Sequence, residues 1–527
     1  MTGRPTPGEE PSAIGAASAS SVARGGAANL VGALIYGASG FALLLVLTRG
    51  LGIDDAGVVI VAIAVFNVLV TLCALGTSTG MVRAISRLRA LGEPERLPAI
   101  LVIALVPVTA LSSAVGVTIF VAAPTIAGAF STGGSAEETT GVLRAMAPLL
   151  PFATLHPVIA QATRGFNTMY PLVLIERIGR SVSLPILVGV VALAGGGPRA
   201  AGVAWAASNV IALCFSARAL LVRVRSAVDR AGRPAMSPDR ATAREFWSFT
   251  APRAVGQTSD VSMNWFDTIL VGGILGATQA GIYASGTRYL QPGLFTAEAL
   301  MHVTGPRVSG LLATDQPREA SRLVQVTAGW QTTVVWPAYL LIALFPVPLL
   351  RVFGDQVTAA EGALVFLAVA MLLSSPLGSA AAVILMAGRA RQAMVNTLAV
   401  LVLNVGGNLL LVGRYGITAA GAVWALSLVV AVALPAWQSH RGLGVTTWGP
   451  EALTAAGLAA VTVGSVGVVV RLVVGDGLVG LVAAGILGVT LYGVGLWRLR
   501  SRLHLDEWWA GIRRRPSPAG PPAQGTS

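Results

Sequence analysis

Apolar runs of about twenty residues recur along this chain, each ended by a short stretch carrying arginine, glycine or proline. A run of that length crosses the hydrocarbon of a bilayer as a helix, where every backbone N–H and C=O must be bonded inside the protein. The expected fold class is therefore all-α, a polytopic inner-membrane protein. The runs fall near 26–48, 57–79, 98–121, 145–163, 171–194 and 200–221, and then near 246–275, 281–304, 325–348, 362–386, 393–412, 418–438, 453–474 and 477–497, which makes about 14 transmembrane helices. Of the residues 54% are apolar and 11% charged, against roughly 25% charged in a soluble domain, so little chain remains for a globular domain.

All 36 basic residues are arginine. Without lysine the chain has no Walker A loop to drive transport with ATP and forms no lysine Schiff base. Cys73 and Cys214 lie in apolar runs, which argues against a disulfide or a thiolate metal site. Neither cofactor nor metal is expected. About 28 arginines fall in loops on the side of the N-terminus and about 6 on the other side, which by the positive-inside rule puts both termini in the cytoplasm. The net charge of +13 is read as this topology signal beside anionic membrane lipids, and no nucleic-acid partner is inferred.

The expected division is a disordered cytoplasmic tail at 1–25, an N-lobe at 26–221, a basic cytoplasmic linker at 222–245, a C-lobe at 246–438, and helices 13 and 14 at 453–497. Residues 498–515 mix arginine with Trp508, Trp509 and Ile512, the composition of an interfacial amphipathic helix, and 516–527 reads as a disordered tail. The lobes carry traces of a duplication. "LGIDDAG" (Leu51 to Gly57) returns as "LGATQAG" (Leu275 to Gly281), 224 residues later, and "AAGVAWAAS" (Ala200 to Ser208) returns as "AAGAVWALS" (Ala419 to Ser427), 219 residues later. Six helices per unit is an even number, so the repeats run parallel about an axis along the membrane normal, with the substrate site expected between them.

The runs "LTRGLGIDDAGVV", "MVRAISR", "VGGILGATQAGIY", "GPRVSGLL" and "ILMAGRARQAMVNTLAVLVLNV" resemble the polysaccharide and lipid-linked oligosaccharide flippases of the MOP exporter superfamily. The resemblance extends through nearly all twelve repeat helices. It implies a MATE-like inverted V with a central cavity, a polyprenyl-pyrophosphate-linked glycan as cargo, and polysaccharide biosynthesis proteins as partners. The multidrug members of the superfamily commonly carry an acidic residue in the first helix, and the peptidoglycan-precursor flippases carry arginines there. Residues 26–48 hold no charge of either sign.

The polar residues of the seventh helix, Arg253, Gln257, Asp260, Asn264 and Asp267, are spaced 4, 3, 4 and 3 and so share one face. In the eighth, Arg288, Gln291, Glu298 and His302 do the same. Charges in a bilayer core face a cavity or a partner, so these two faces predict a wet cavity. Arg253, Gln257, Asn264, Arg288 and Gln291 are its candidate substrate-binding residues, and Asp260, Glu298 and Asp267 its candidate ion-coupling residues. Counting residues from the intervening turn puts Asp267 level with Arg288, as an ion pair or as part of the transport cycle, and Asp260 level with Glu298, as a shared proton site or as two separately paired groups. Arg253 lies deeper, toward the cytoplasm, where its fork of donors suits an anionic headgroup. Arg164, Arg177 and Arg180 follow the topology rule or form a phosphate-collecting vestibule. His156 reads as a satisfied interior group, and Asn396, Asn404 and Asn408 as interhelical hydrogen bonds.

The function expected from these residues and this resemblance is translocation of an undecaprenyl-pyrophosphate oligosaccharide from the cytoplasmic to the outer leaflet by alternating access coupled to an ion gradient. No residue is given a catalytic role, and the chain is not expected to be an enzyme. The alternatives are a multidrug or peptidoglycan-precursor exporter of the same superfamily and, more distantly, a polyprenyl-phosphate-sugar glycosyltransferase using Asp54 and Asp55, for which the outer loops are too short.

Overall fold

The computed structural model describes residues 35–129, 136–232 and 236–503, without the side chains at 252, 255, 256, 258–264, 302 and 303. Both expected tails and most of the expected interfacial helix lie outside the described residues. The chain runs as α1 (Ile35–Gly50), α2 (Ile53–Ala90), α3 (Pro94–Gly128), α4 (Ala136–Phe166), α5 (172–193), α6 (Pro198–Ala231) and α7 (Arg240–Leu275). It continues as α8 (277–313), α9 (Pro317–Leu344) and α10 (346–386, broken twice). The stretch Ala390–Leu443 turns sharply at Gly416 (φ 68°) into α11 (390–415) and α12 (417–443), followed by α13 (Pro450–Val474) and α14 (Leu478–Leu499). No strand occurs among the described residues. Eight of the helical stretches are long and apolar enough to cross a bilayer by composition alone, and Ile35–Gly50 and Trp265–Leu275 are shorter apolar segments. The chain is a multi-pass, all-α membrane protein.

One boundary departs from the expectation. α6 continues to Ala231 and α7 begins at Arg240, so most of the span 222–245 is helical and the break covers only 232–239. The arginines there permit a helix because they are not on its packed face: Val224, Ala227 and Val228 turn inward onto Leu220 and Phe246, while Arg225 and Arg230 stay exposed. Such a helix leaves the hydrocarbon without ending. Asp239 caps α7 by accepting the Thr242 N–H at 2.5 Å, a bond that holds its carboxyl below the usual carboxylate range.

The two copies of the repeated heptad meet each other. The α1–α2 and α7–α8 turns both pivot on a glycine in the same unusual conformation, Gly52 at φ 86°, ψ 161° and Gly276 at φ 96°, ψ 164°, where a side chain would be strained. One turn further on, Thr278 Oγ1 donates to Asp54 Oδ1 at 2.7 Å, a contact between residues that occupy the same place in the two copies. Gly57 and Gly281, likewise equivalent, pass so closely that a Cβ on Gly57 would stand 2.2 Å from the Ala277 carbonyl oxygen and one on Gly281 would stand 2.9 Å from the Gly57 Cα. Only contacts on a twofold axis join equivalent positions, so the pseudo-symmetry axis passes here. Around it α2 is buried almost continuously from Ala56 to Ala64, and Arg49 of the N-lobe donates to the carbonyls of Arg351 (2.6 Å) and Val352 (3.0 Å) in the C-lobe. The second repeated motif is used in parallel fashion, with Gly202 of α6 set against Val142 and Met146 of α4 and Gly421 of α12 set against Ala363 of α10.

The opposite end of the α2–α7 seam is polar. Gln257 Nε2 donates to Thr79 Oγ1 at 2.8 Å, Arg87 pairs with Glu245, and the Arg83 guanidinium lies 3.9 Å from the centre of the Phe249 ring.

Because the glycine crossing has no space for a methyl group, Gly57→Ala is expected to cost roughly 1–3 kcal/mol and to loosen this end of the molecule. Thermal unfolding of the purified protein and the yield of a disulfide between cysteines placed at 54 and 278 measure the two effects. An unchanged melting temperature together with an unchanged disulfide yield would contradict the crossing described.

Candidate functional site

A cavity of about 290 Å³ opens between the lobes, lined mostly by the N-lobe helices α1, α2, α4, α5 and α6 and completed by Trp265 of α7 and Arg288, Gln291 and Phe295 of α8. Its N-lobe wall holds a compact charged group. His156 of α4, 1% exposed, brings Nε2 to 2.9 Å from Glu176 Oε2, and neither atom has a partner elsewhere among the described residues. The other oxygen of Glu176 accepts from Arg180 Nη1 at 3.5 Å, and Arg180 Nε donates to Asn209 Oδ1 of α6 at 3.0 Å. The Arg180 guanidinium also faces the buried Trp205 ring, 5.9 Å from its centre.

Glu176 and Arg180, four residues apart, share a wall of α5, which begins as a π-helix, Leu172–Arg180. Its wider turn is a local departure from the α-helical ladder of the kind that recurs at functional positions.

Arg288 stands across the cavity. It opens a 3-10 turn, Arg288–Leu290, that interrupts α8, and its Nε is buried with no hydrogen-bond partner among the described residues. Gly40 of α1 lies close to its Nη1, and Tyr36 and Phe295 pack edge to face at 6.3 Å on the same wall. The cavity thus combines an aromatic side with two guanidinium groups, one of them without a carboxylate partner among the described residues.

The structure redistributes the residues singled out from the sequence. Arg288 and Gln291 line the cavity, and so does Arg180, whose companions Arg164 and Arg177 do not. Arg164 bonds to Gln161 at 2.9 Å. Arg253 and Gln257 lie away from the cavity on the α2–α7 seam, Arg253 exposed beside Phe249, because a polar face on a helix this long serves two different neighbours along its length. Glu298 is exposed and outside the lining. The side chains of Asp260, Asn264 and His302 lie outside the described residues.

Asp267 is not paired with Arg288. It is buried against α11, where it accepts from Asn408 Nδ2 at 3.3 Å and from Tyr283 OH at 3.4 Å, with the Asn404 amide alongside. Equal depth on two helices did not reveal that their facing sides are turned to different partners. Among the described residues Asn408 Oδ1 is buried without a donor, so the nest they form presents oxygens and no cation. The reading of Asn404 and Asn408 as interhelical hydrogen bonds fits these contacts, as does the pairing of Asn396 with Gln438 at 2.7 and 3.0 Å. Glu176 was overlooked. The available signal was that it is the one carboxylate in the apolar run 171–194.

The profile described as "Polysaccharide biosynthesis protein" matches residues 22–310, more than half of the chain. The chain belongs to that family. A second profile, MatE, matches residues 252–410. No curated protein matches the sequence. Among solved structures, the lipid II flippase MurJ in an inward closed conformation aligns with a TM-score of 0.70 at 11% identity, covering 90% of this chain and 98% of that one. A multidrug resistance MATE transporter of the MOP superfamily, in its inward-facing conformation, aligns at 0.64 and 20% identity, covering 78% and 94%. A MOP superfamily transporter from Pyrococcus furiosus, whose binding pocket is described as of reverse polarity, aligns at 0.52 and 18%, covering 82% and 98%. This family member therefore has the MOP transporter fold over nearly its whole length.

In this polysaccharide biosynthesis family protein the Asp267 nest makes a testable claim. Asn408→Leu removes a donor to a buried carboxylate and is expected to destabilise by about 1–3 kcal/mol. Combined with Asp267→Asn, which needs the donor less, the same change is expected to cost measurably less. Equal costs in the two backgrounds, read from thermal unfolding, would show that the contact carries no energy.

Proposed function

We propose that this protein flips a polyprenyl-pyrophosphate-linked oligosaccharide from the cytoplasmic to the outer leaflet of the plasma membrane, with both termini cytoplasmic, and that it performs no covalent chemistry. The observation that carries the reading is Arg288, a guanidinium on the cavity wall with its Nε buried and unpartnered. Such a group favours an anion that supplies oxygens in a plane, as a pyrophosphate does. The aromatic wall formed by Tyr36 and Phe295 suits the first isoprene units beside the headgroup. Membership of a polysaccharide biosynthesis family supports a glycan as the remainder of the cargo.

The MatE match keeps a multidrug exporter as the second reading. Charge separates the two. Among the described lining residues the cavity wall holds Arg180 and Arg288 against one carboxylate, Glu176, a balance that favours anions over the organic cations that a drug exporter commonly meets.

The turn end, closed by Gly57, Gly281 and the Asp54–Thr278 bond, is assigned to the outer face. Alignment is better with the inward-facing MATE structure (TM-score 0.64) than with an outward-facing one (0.55), which supports a cavity that loads from the cytoplasm. Coupling is assigned to Asp267, where the carboxylate and the unpartnered Asn408 Oδ1 form an oxygen-rich nest for a proton or a sodium ion.

In proteoliposomes carrying a lipid-linked oligosaccharide, Arg288→Ala is expected to abolish flipping, Arg288→Lys to impair it about tenfold or more, since lysine keeps the charge and loses the fork, and Arg253→Ala to cost less than Arg288→Ala. Full flipping by a stably inserted Arg288→Ala variant would refute the substrate assignment. Asp267→Asn is expected to remove the response to an imposed proton or sodium gradient, and an unaltered response would refute the coupling assignment.

A further inference from the structure

Glu176 holds Arg180 by a long contact of 3.5 Å, and among the described residues the other partner of its carboxylate is His156, at 2.9 Å. Arg180 keeps its footing by other means, through Asn209 and the Trp205 face. It can therefore change acceptors without leaving the wall. The segment that carries both charges is the π-helix of α5, in which Ser181 Oγ reaches back to the Glu176 carbonyl at 3.2 Å, and π turns admit local shifts of a residue that a regular helix resists.

We propose that His156, Glu176 and Arg180 form a proton-linked latch for the anionic headgroup: phosphate oxygens and Glu176 compete for Arg180, and the proton that settles the competition resides on the His156–Glu176 pair. The inference rests on the reading of the cavity as a pyrophosphate-lipid site. With the cavity empty, Arg180 neutralises Glu176 and the His156–Glu176 pair lacks the extra proton. When a phosphate takes Arg180, Glu176 is left as a carboxylate on a poorly solvated wall, where an unpaired charge is costly. One proton from cavity water, taken up between the imidazole and the carboxylate, removes that cost by leaving either an imidazolium–carboxylate pair or a neutral acid. Loss of the proton frees Glu176 to recapture Arg180 and expel the phosphate. Anion and proton therefore bind with positive coupling, and each strengthens the other by the same factor.

The other groups facing the pair do not substitute for it. Arg177, on α5 itself, adds a fixed positive charge near Glu176. α1 contributes Tyr36 and α8 contributes Arg288, and among the described lining residues α2 and α6 contribute only neutral polar groups, Asn67, Thr71 and Asn209. Among the described lining residues this pair is the one that sets an imidazole against a carboxylate.

The test uses the full-length protein in lipid nanodiscs and farnesyl-pyrophosphoryl-glucose, a diester with no proton of its own to exchange near neutral pH. Calorimetry in buffers of different ionisation enthalpy counts the protons taken up on binding. The parent is expected to take up about one proton per probe and to bind about tenfold more tightly for each unit fall in pH across the linked range, between about pH 8 and pH 6. Glu176→Gln is expected to bind as tightly as the parent does at the acidic end, at every pH and with no proton uptake. His156→Gln gives a second readout should Glu176→Gln fail to fold, with uptake lost and the acid strengthening much reduced. Arg180→Ala is expected to lose affinity and proton uptake together. Tight binding by the parent without proton uptake, or a Glu176→Gln variant that keeps the parent's pH slope, would overturn the latch and leave the flippase reading standing. Failure of the parent to bind the probe at all would overturn both.

Discussion

A polar group in hydrocarbon must find a partner within the protein or reach water, and every departure from plain helix packing in this molecule answers to that requirement. The long arginines of α6 leave the packed face and let the helix continue. Asp267 is taken up by the amides of α11 and the Tyr283 hydroxyl. Glu176 is met from both sides by His156 and Arg180. Arg288 keeps a buried Nε without an acceptor among the described residues, and the proposed anion site rests on that deficiency. The same rule explains where the cavity lies, because it opens where the packed small residues of the axis give way to side chains that need water or a ligand.

Much of this was legible in the sequence because it repeats or is periodic. Apolar run length gave the helices, and the heptad "LGIDDAG"/"LGATQAG" marked the two turns that meet on the axis. The spacing of polar residues found Arg288 and Gln291. The errors share a cause. Helical periodicity assigns residues to a face of one helix, but not to the neighbour that the face meets, so Asp267 and Arg288 were set at one depth although they look toward different helices. Arg253 and Gln257 share the face of Arg288's counterpart helix, yet they pack on the α2 seam. The Glu176 cluster was legible only in part: a carboxylate within the apolar run 171–194 stands out, but its partners on α4 and α6 do not, because periodicity along one helix does not name its neighbours.

The repeat also shows what was kept and what was not. Gly52 and Gly276 keep one conformation, Gly57 and Gly281 keep one crossing, and Gly202 and Gly421 keep one packing role. Gly57, Gly281 and Gly421 lie against backbone atoms, Gly202 lies against the Val142 and Met146 side chains, and Gly52 and Gly276 hold a positive φ. The charges do not follow the same rule. At the offset of 224 residues that relates the heptads, Leu43 stands where the other lobe has Asp267, and Ala64 stands where it has Arg288. Two halves with equal charges would face each other across the axis with like signs, and an anion bound between them would have no reason to prefer one side of the cavity. With the oxygen nest in the C-lobe and the proton-exchanging pair in the N-lobe, each half carries a different load. The shared glycine crossing then joins unlike halves through a closely packed contact that has no space for a side chain.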